Sequence, residues 1–101
     1  MDSSQIKQLL KEIRLDIKGK NFPEARKKCD DILNSDSKNY MALLLMGASY
    51  QENDKEKAAV YLRRAVKESP ENPTVALQGL SSCAEVEELP NIFGKLLSLV
   101  P

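Results

Sequence analysis

Histidine is absent from this chain of 101 residues, which removes the commonest general base and the commonest protein ligand for transition metals. The groups left for chemistry are two thiols and several carboxylates. Cys29 and Cys83 lack CxxC spacing, and both occupy apolar positions of helical patterns. They read as buried free thiols of a reducing compartment, the cytosol or the nucleus. Asp30-Asp31 and Glu85, Glu87 and Glu88 fall on polar helix faces with no nucleophile paired to them. The four glycines are scattered, and no GxxxxGK loop for phosphate occurs. The expectation is therefore no catalytic residue, no cofactor and no metal, hence not an enzyme.

Charge excludes further classes. Lys+Arg and Asp+Glu each total 15, so no global field attracts nucleic acid or an acidic membrane. The run KGKNFPEARKK (18–28) is locally basic but has helical spacing, and reads as a solvated face. The longest apolar run, MALLLMGA, falls far short of the ~20 residues needed to cross a bilayer. Direct binding to nucleic acid or to a membrane is not expected.

What would position any functional side chain is a set of helices. Helix formers dominate and no segment alternates as a half-buried strand does. Turn signals divide the chain into six helices. Asp2, Ser3 and Ser4 can cap a first, ending near Lys18 with Gly19 as its stop. Asn21 caps a second, with Pro23 in its first turn, running to about Asn34. Ser37 or Asn39 opens a third, ending near Glu52. Asp54 caps a fourth that stops before Pro70. Asn72-Pro73 opens a fifth, running to about Val86, and Leu89-Pro90 a sixth, reaching about Val100.

These helices repeat. Ala25, Cys29 and Ile32 recur as Ala58, Leu62 and Ala65 at a step of 33 residues, and their internal spacing returns in Leu89, Phe93 and Leu96. Leu10, Ile13 and Ile17 match Leu43, Met46 and Tyr50, then Leu77, Leu80 and Ala84. Three tandem helix pairs follow, at about 3–36, 37–70 and 71–101, forming a single domain. Such units bury their apolar faces only by stacking. Gly47 lies inside a helix, where glycine costs about 1 kcal/mol relative to alanine. It marks the spot where the partner helix of its own pair presses close, and Ala58 and Ala65 permit the same approach. Gly47→Leu is expected to overpack by roughly 1–3 kcal/mol.

Leu43, Met46, Gly47, Tyr50, Ala58, Leu62, Ala65 and Pro70 resemble the large-small pattern of the tetratricopeptide repeat (TPR) family, and with Ala25 they define the packing of the repeats. The resemblance implies an all-α, right-handed α-solenoid of three TPR helix pairs. The first and third repeats depart from the pattern: Arg14 stands in the Gly47 slot, and only five residues separate Ala84 from Leu89, implying a tight inter-helix turn. A narrower resemblance, carried by NYMALLLMGASYQENDKEKAAVYLRRAVKESPENPTVALQGL and ELPNIFGKLLSL, is to the large scaffold-subunit family of the superkiller (Ski) complex. It implies a noncatalytic scaffold, an RNA helicase and WD-repeat subunits as partners, and cytoplasmic RNA decay with the exosome. It also implies that the chain opens a longer solenoid. Two other readings stay open: a general peptide-binding TPR adaptor, or an interaction appendage of an absent catalytic domain.

The resemblance places partner binding on the concave face lined by the first helix of each pair. The expected contacts are Gln8, Lys11 and Leu15, then Met41, Leu44 and Ala48, then Val75, Gln78 and Ser82. They form a groove of apolar and neutral polar groups suited to an apolar segment or partner helix. TPR chaperone adaptors clamp a terminal carboxylate with several convergent donors. Here only Lys11 suits that clamp; Leu15, Leu45, Val75 and Gly79 hold the other slots. The sixth helix carries Ile92, Phe93, Leu96, Leu97, Leu99 and Val100, more apolar surface than one neighbour covers. That leaves it uncapped and available for self-association or docking.

Overall fold

The computed structural model describes residues 1–69 and 73–99. Six helices follow one another: α1 (Ser3–Lys18), α2 (Phe22–Ser35), α3 (Tyr40–Tyr50), α4 (Lys55–Lys67), α5 (Thr74–Ser81) and α6 (Leu89–Ser98). A 3-10 turn, Val86–Glu88, leads into the last, and no strand occurs among the described residues. Pro70 and Asn72, expected as a stop and a cap, lie outside the described residues, as do Val100 and Pro101.

Helix starts follow local hydrogen bonding. Asp2 accepts from the Gln5 N–H at 2.8 Å while the Gln5 side chain accepts from the Asp2 N–H, a reciprocal cap. Asn39, not Ser37, caps α3 by accepting from Ala42 N–H at 2.9 Å. Asp54 accepts from Lys57 N–H. Asn21 precedes α2 without a side-chain capping bond; Pro23 and Glu24 in the first turn favour that helix end instead. Gly19 does end α1, but the left-handed residue is Lys20, at φ 60.

The fifth helix is shorter than its pattern suggests. It ends at Ser81 rather than near Val86, because the Ser81 and Ser82 hydroxyls donate to the carbonyls of Gln78 and Gly79, each at 2.7 Å. Such back-bonding competes with continued helix. The connection to α6 is therefore not tight; a shortened helix and a 3-10 turn absorb the missing residues. Cys83 accordingly lies in a turn and is only half-buried, whereas Cys29 is fully buried.

Each buried cluster joins three consecutive helices. Leu10 and Ile13 of α1 meet Ala25, Cys29 and Ile32 of α2 and Ala42 and Met46 of α3. Leu43, Ala65 and Ala76 link α3, α4 and α5. Ala59 and Leu62 meet Leu77 and Leu80 of α5 and Ile92 of α6. No pair owns a core, so each depends on the next, as in a solenoid. The backbones of the inner helices α1, α3 and α5 approach one another in sequence, while those of α2, α4 and α6 stay apart. The result is the expected all-α solenoid rather than a closed bundle, 37 × 28 × 20 Å overall.

The repeat positions explain the burial. Leu43, Met46, Ala58, Leu62 and Ala65 are buried, with Tyr50 half-buried. A Cβ on Gly47 would lie 2.6 Å from Leu62 Cγ, so the close approach of α3 and α4 at that point requires a residue without a side chain. The third pair departs from the 4-then-3 register. Phe93, expected on the packed face, is 49% exposed, and Ile92 is buried in its place.

The basic run is less solvated than its spacing implies. Arg26 Nε donates to Ser49 Oγ at 3.2 Å and Nη2 donates to the Ser49 carbonyl. Lys28 Nζ lies 2.7 Å from Asp16 Oδ2 on α1 and 3.6 Å from Glu12. The bond to Asp16 raises the Lys28 pKa. Glu88, expected on a solvent face, instead accepts a two-pronged bond from Arg63 of α4.

Candidate partner-binding face

The inner row places α3 beside α5, and what lies between them is set by side-chain size. The α3 sequence YMALLLMGASY is apolar almost all round, as a helix covered on several sides must be. Met46 and Leu43 turn into the core, leaving Leu44, Leu45 and Ala48 half-buried toward the inner face. From α5 come Val75, Gln78 and Gly79, followed by Ser82. Together with Gln51 they border a cleft of about 460 Å³ floored by Leu62.

Five of the residues expected on the concave face thus share one cleft: Leu44, Ala48, Val75, Gln78 and Ser82. The others are separated from it. Met41 is half-buried and packs against the first core cluster, so its side chain serves folding. Lys11 and Leu15 project from α1 outside the cleft, Leu15 with 64% of its surface exposed. Gln8 donates to Glu12 at 3.2 Å and borders a shallow depression with Met1, Ser4 and Leu9.

Gln51 is the residue that pattern reasoning missed. It follows α3, and its Nε2 donates to Ser82 Oγ at 3.3 Å and to the Gly79 carbonyl at 3.4 Å. A Cβ on Gly79 would come within 3.3 Å of both Gln51 Nε2 and Leu62 Cδ1. Leu62 is therefore flanked by bare glycine on both sides, Gly47 from its own pair and Gly79 from the next. A glutamine one residue past a helix end gives no sequence signal of such a tie.

The cleft has one chemical character. Its lining includes no charged side chain, only aliphatic surface, amides and a hydroxyl. Capturing a carboxylate there would leave the charge desolvated without a donor cation; an uncharged apolar segment needs none. Val75, 59% exposed, is the most prominent apolar contact it offers. Among the described residues no cluster of acidic, histidine or cysteine side chains is arranged to hold a metal. No helix there is long and apolar enough to cross a membrane.

Over 98% of its length the chain is similar to tetratricopeptide repeat protein 37 of Xenopus laevis, at 32% identity. It is similar over the same share to superkiller complex protein 3 of Mus musculus, at 33%, and of Homo sapiens, at 29%. The chain spans about 7% of the length of each of these relatives. No family model and no solved structure matches it. The resemblance to TPR proteins noted from the residues is thus carried by relatives along nearly the whole chain.

Proposed function

We propose that this chain is a noncatalytic protein-interaction module. In this reading the cleft between α3 and α5 takes an uncharged apolar segment of a partner, through Leu44, Ala48, Val75, Gln78 and Ser82. The module works within a scaffold of the superkiller complex, in cytoplasmic RNA decay together with the exosome. An RNA helicase and WD-repeat subunits are its partners.

The observation that carries the complex is similarity over 98% of the chain to proteins named superkiller complex protein 3. What supports the mode of binding is the absence of charge in the cleft. The same cleft also suits a peptide-binding adaptor unrelated to RNA decay, and one experiment separates the two. The tagged full-length protein is captured from cells and its companions are identified. Co-purification of a helicase and WD-repeat proteins supports the scaffold reading. Their absence, with chaperones or unrelated peptides recovered instead, overturns it.

A further inference from the structure

We infer a second protein-binding site on the outer side, in the notch between α4 and α6, for an acidic segment carrying a large apolar side chain. This site does not depend on the reading of the inner cleft. The backbones of the two helices stay apart, and α5 lies beneath the gap. The notch encloses about 460 Å³ over a floor that includes Val66, Leu77 and Ile92.

The notch is open for a local reason. On the other flank of α4, Tyr61 packs against the first and third core clusters, and Arg64 lies over its ring, 5.6 Å from the centroid. Toward α6 the lining contains no aromatic side chain; Asn91 and Lys95 face it instead. A short amide and a flexible lysine leave the notch open above half-buried Val66, with Leu77 and Ile92 buried beneath it.

Charge selects the occupant. Lys67 and Lys95 stand on opposite sides of the notch, and neither has an ion-pair partner among the described residues. The one carboxylate in the lining, Glu88, is already held by Arg63. Two cations with no ion-pair partner among the described residues therefore flank the notch, complementary to an apolar anchor with carboxylates on either side. Nucleic acid fits less well, since it needs stacking rings or a broad basic field. The notch has no ring, and the chain carries equal numbers of cationic and anionic residues.

The test uses the whole chain and a fluorescein-labelled peptide, GDEDFLDEDG, read by fluorescence anisotropy. Saturable binding is expected, weakening as salt rises. The double variant Lys67→Glu, Lys95→Glu should bind roughly tenfold or more weakly, with an unchanged melting temperature because both lysines are exposed. Asn91→Tyr keeps the charges but fills the notch, and should block the peptide. Val75→Glu in the inner cleft should leave it bound. No saturable binding, undiminished binding to the double variant, or equal binding of a peptide with serine in place of Phe and Leu would each overturn the site. So would competition by an oligouridylate as effective as unlabelled peptide.

Discussion

Arg26 lays its guanidinium on the ring of Tyr50, 4.0 Å from the centroid, while the same group donates to the Ser49 carbonyl near the end of α3. One side chain of the first pair thereby satisfies an open carbonyl, stacks on an aromatic face and orients the buried Ser49 hydroxyl, which donates to Met46 O at 2.6 Å. A cation at a helix C-terminus also complements the helix dipole. Arg26→Ala should cost about 2 kcal/mol, read as a lower urea midpoint. Arg26→Lys should recover little of it, because an ammonium cannot stack and donate as a planar fork does.

Gly47 and Leu62 form a second testable pair. Gly47→Ala improves helix propensity by about 1 kcal/mol, yet its Cβ would lie 2.6 Å from Leu62 Cγ. Overpacking of roughly 1–3 kcal/mol outweighs that gain, for a net loss of up to about 2 kcal/mol. In a Leu62→Ala background the same change should cost much less, giving a favourable coupling in a double-mutant cycle. Additive losses would show that the two do not meet.

Lys20 adopts φ 60 with a side chain that disfavours it. Lys20→Gly should relieve about 1 kcal/mol of backbone strain. The lost ion pair to Glu52, 3.6 Å apart and exposed, offsets little of this. A rise in melting temperature is the expected readout.

Burial pushes the Cys29 thiol up from its ordinary 9.0 to about 12, with Asp30 adding to the rise. Burial, then Asp30, also raises Tyr61. In both cases the unfolded chain loses its proton first as pH climbs. Their contribution to stability is whole below the unfolded values and declines as pH rises toward the folded ones. Urea midpoints should therefore fall between about pH 9 and about pH 11. Ellman's reagent should label Cys83 in the native protein and reach Cys29 only on unfolding; Cys83→Ser should leave no native reaction.

Gln51→Ala should remove the bonds to Gly79 and Ser82 and cost about 1 kcal/mol, while loosening α5 against α3. Faster amide exchange in α5 is the measurement. Val75→Glu, at an exposed position, should leave the melt unchanged and abolish capture of the inner-cleft partner.

The repeat was legible because two signals agree. Ala25, Cys29 and Ile32 and their counterparts one repeat on are all buried, and Asp2, Asn39 and Asp54 cap where their types suggest. The third pair was harder to read for an identifiable reason. Ile92, Phe93, Leu96 and Leu97 satisfy two helical registers equally, so only the approach of α5 selects Ile92. Paired serines do not announce a helix end as glycine or proline does. Of the inner face, the α3 and α5 contributions followed from spacing. Gln51, Arg26 and the Arg63–Glu88 link did not, since polar partners far apart in sequence leave no periodic trace.

The gaps between the outer helices have a mechanical meaning. The backbones of α2, α4 and α6 stay apart, so on that side a change of curvature meets side-chain contacts such as those of Tyr61 rather than a close backbone seam.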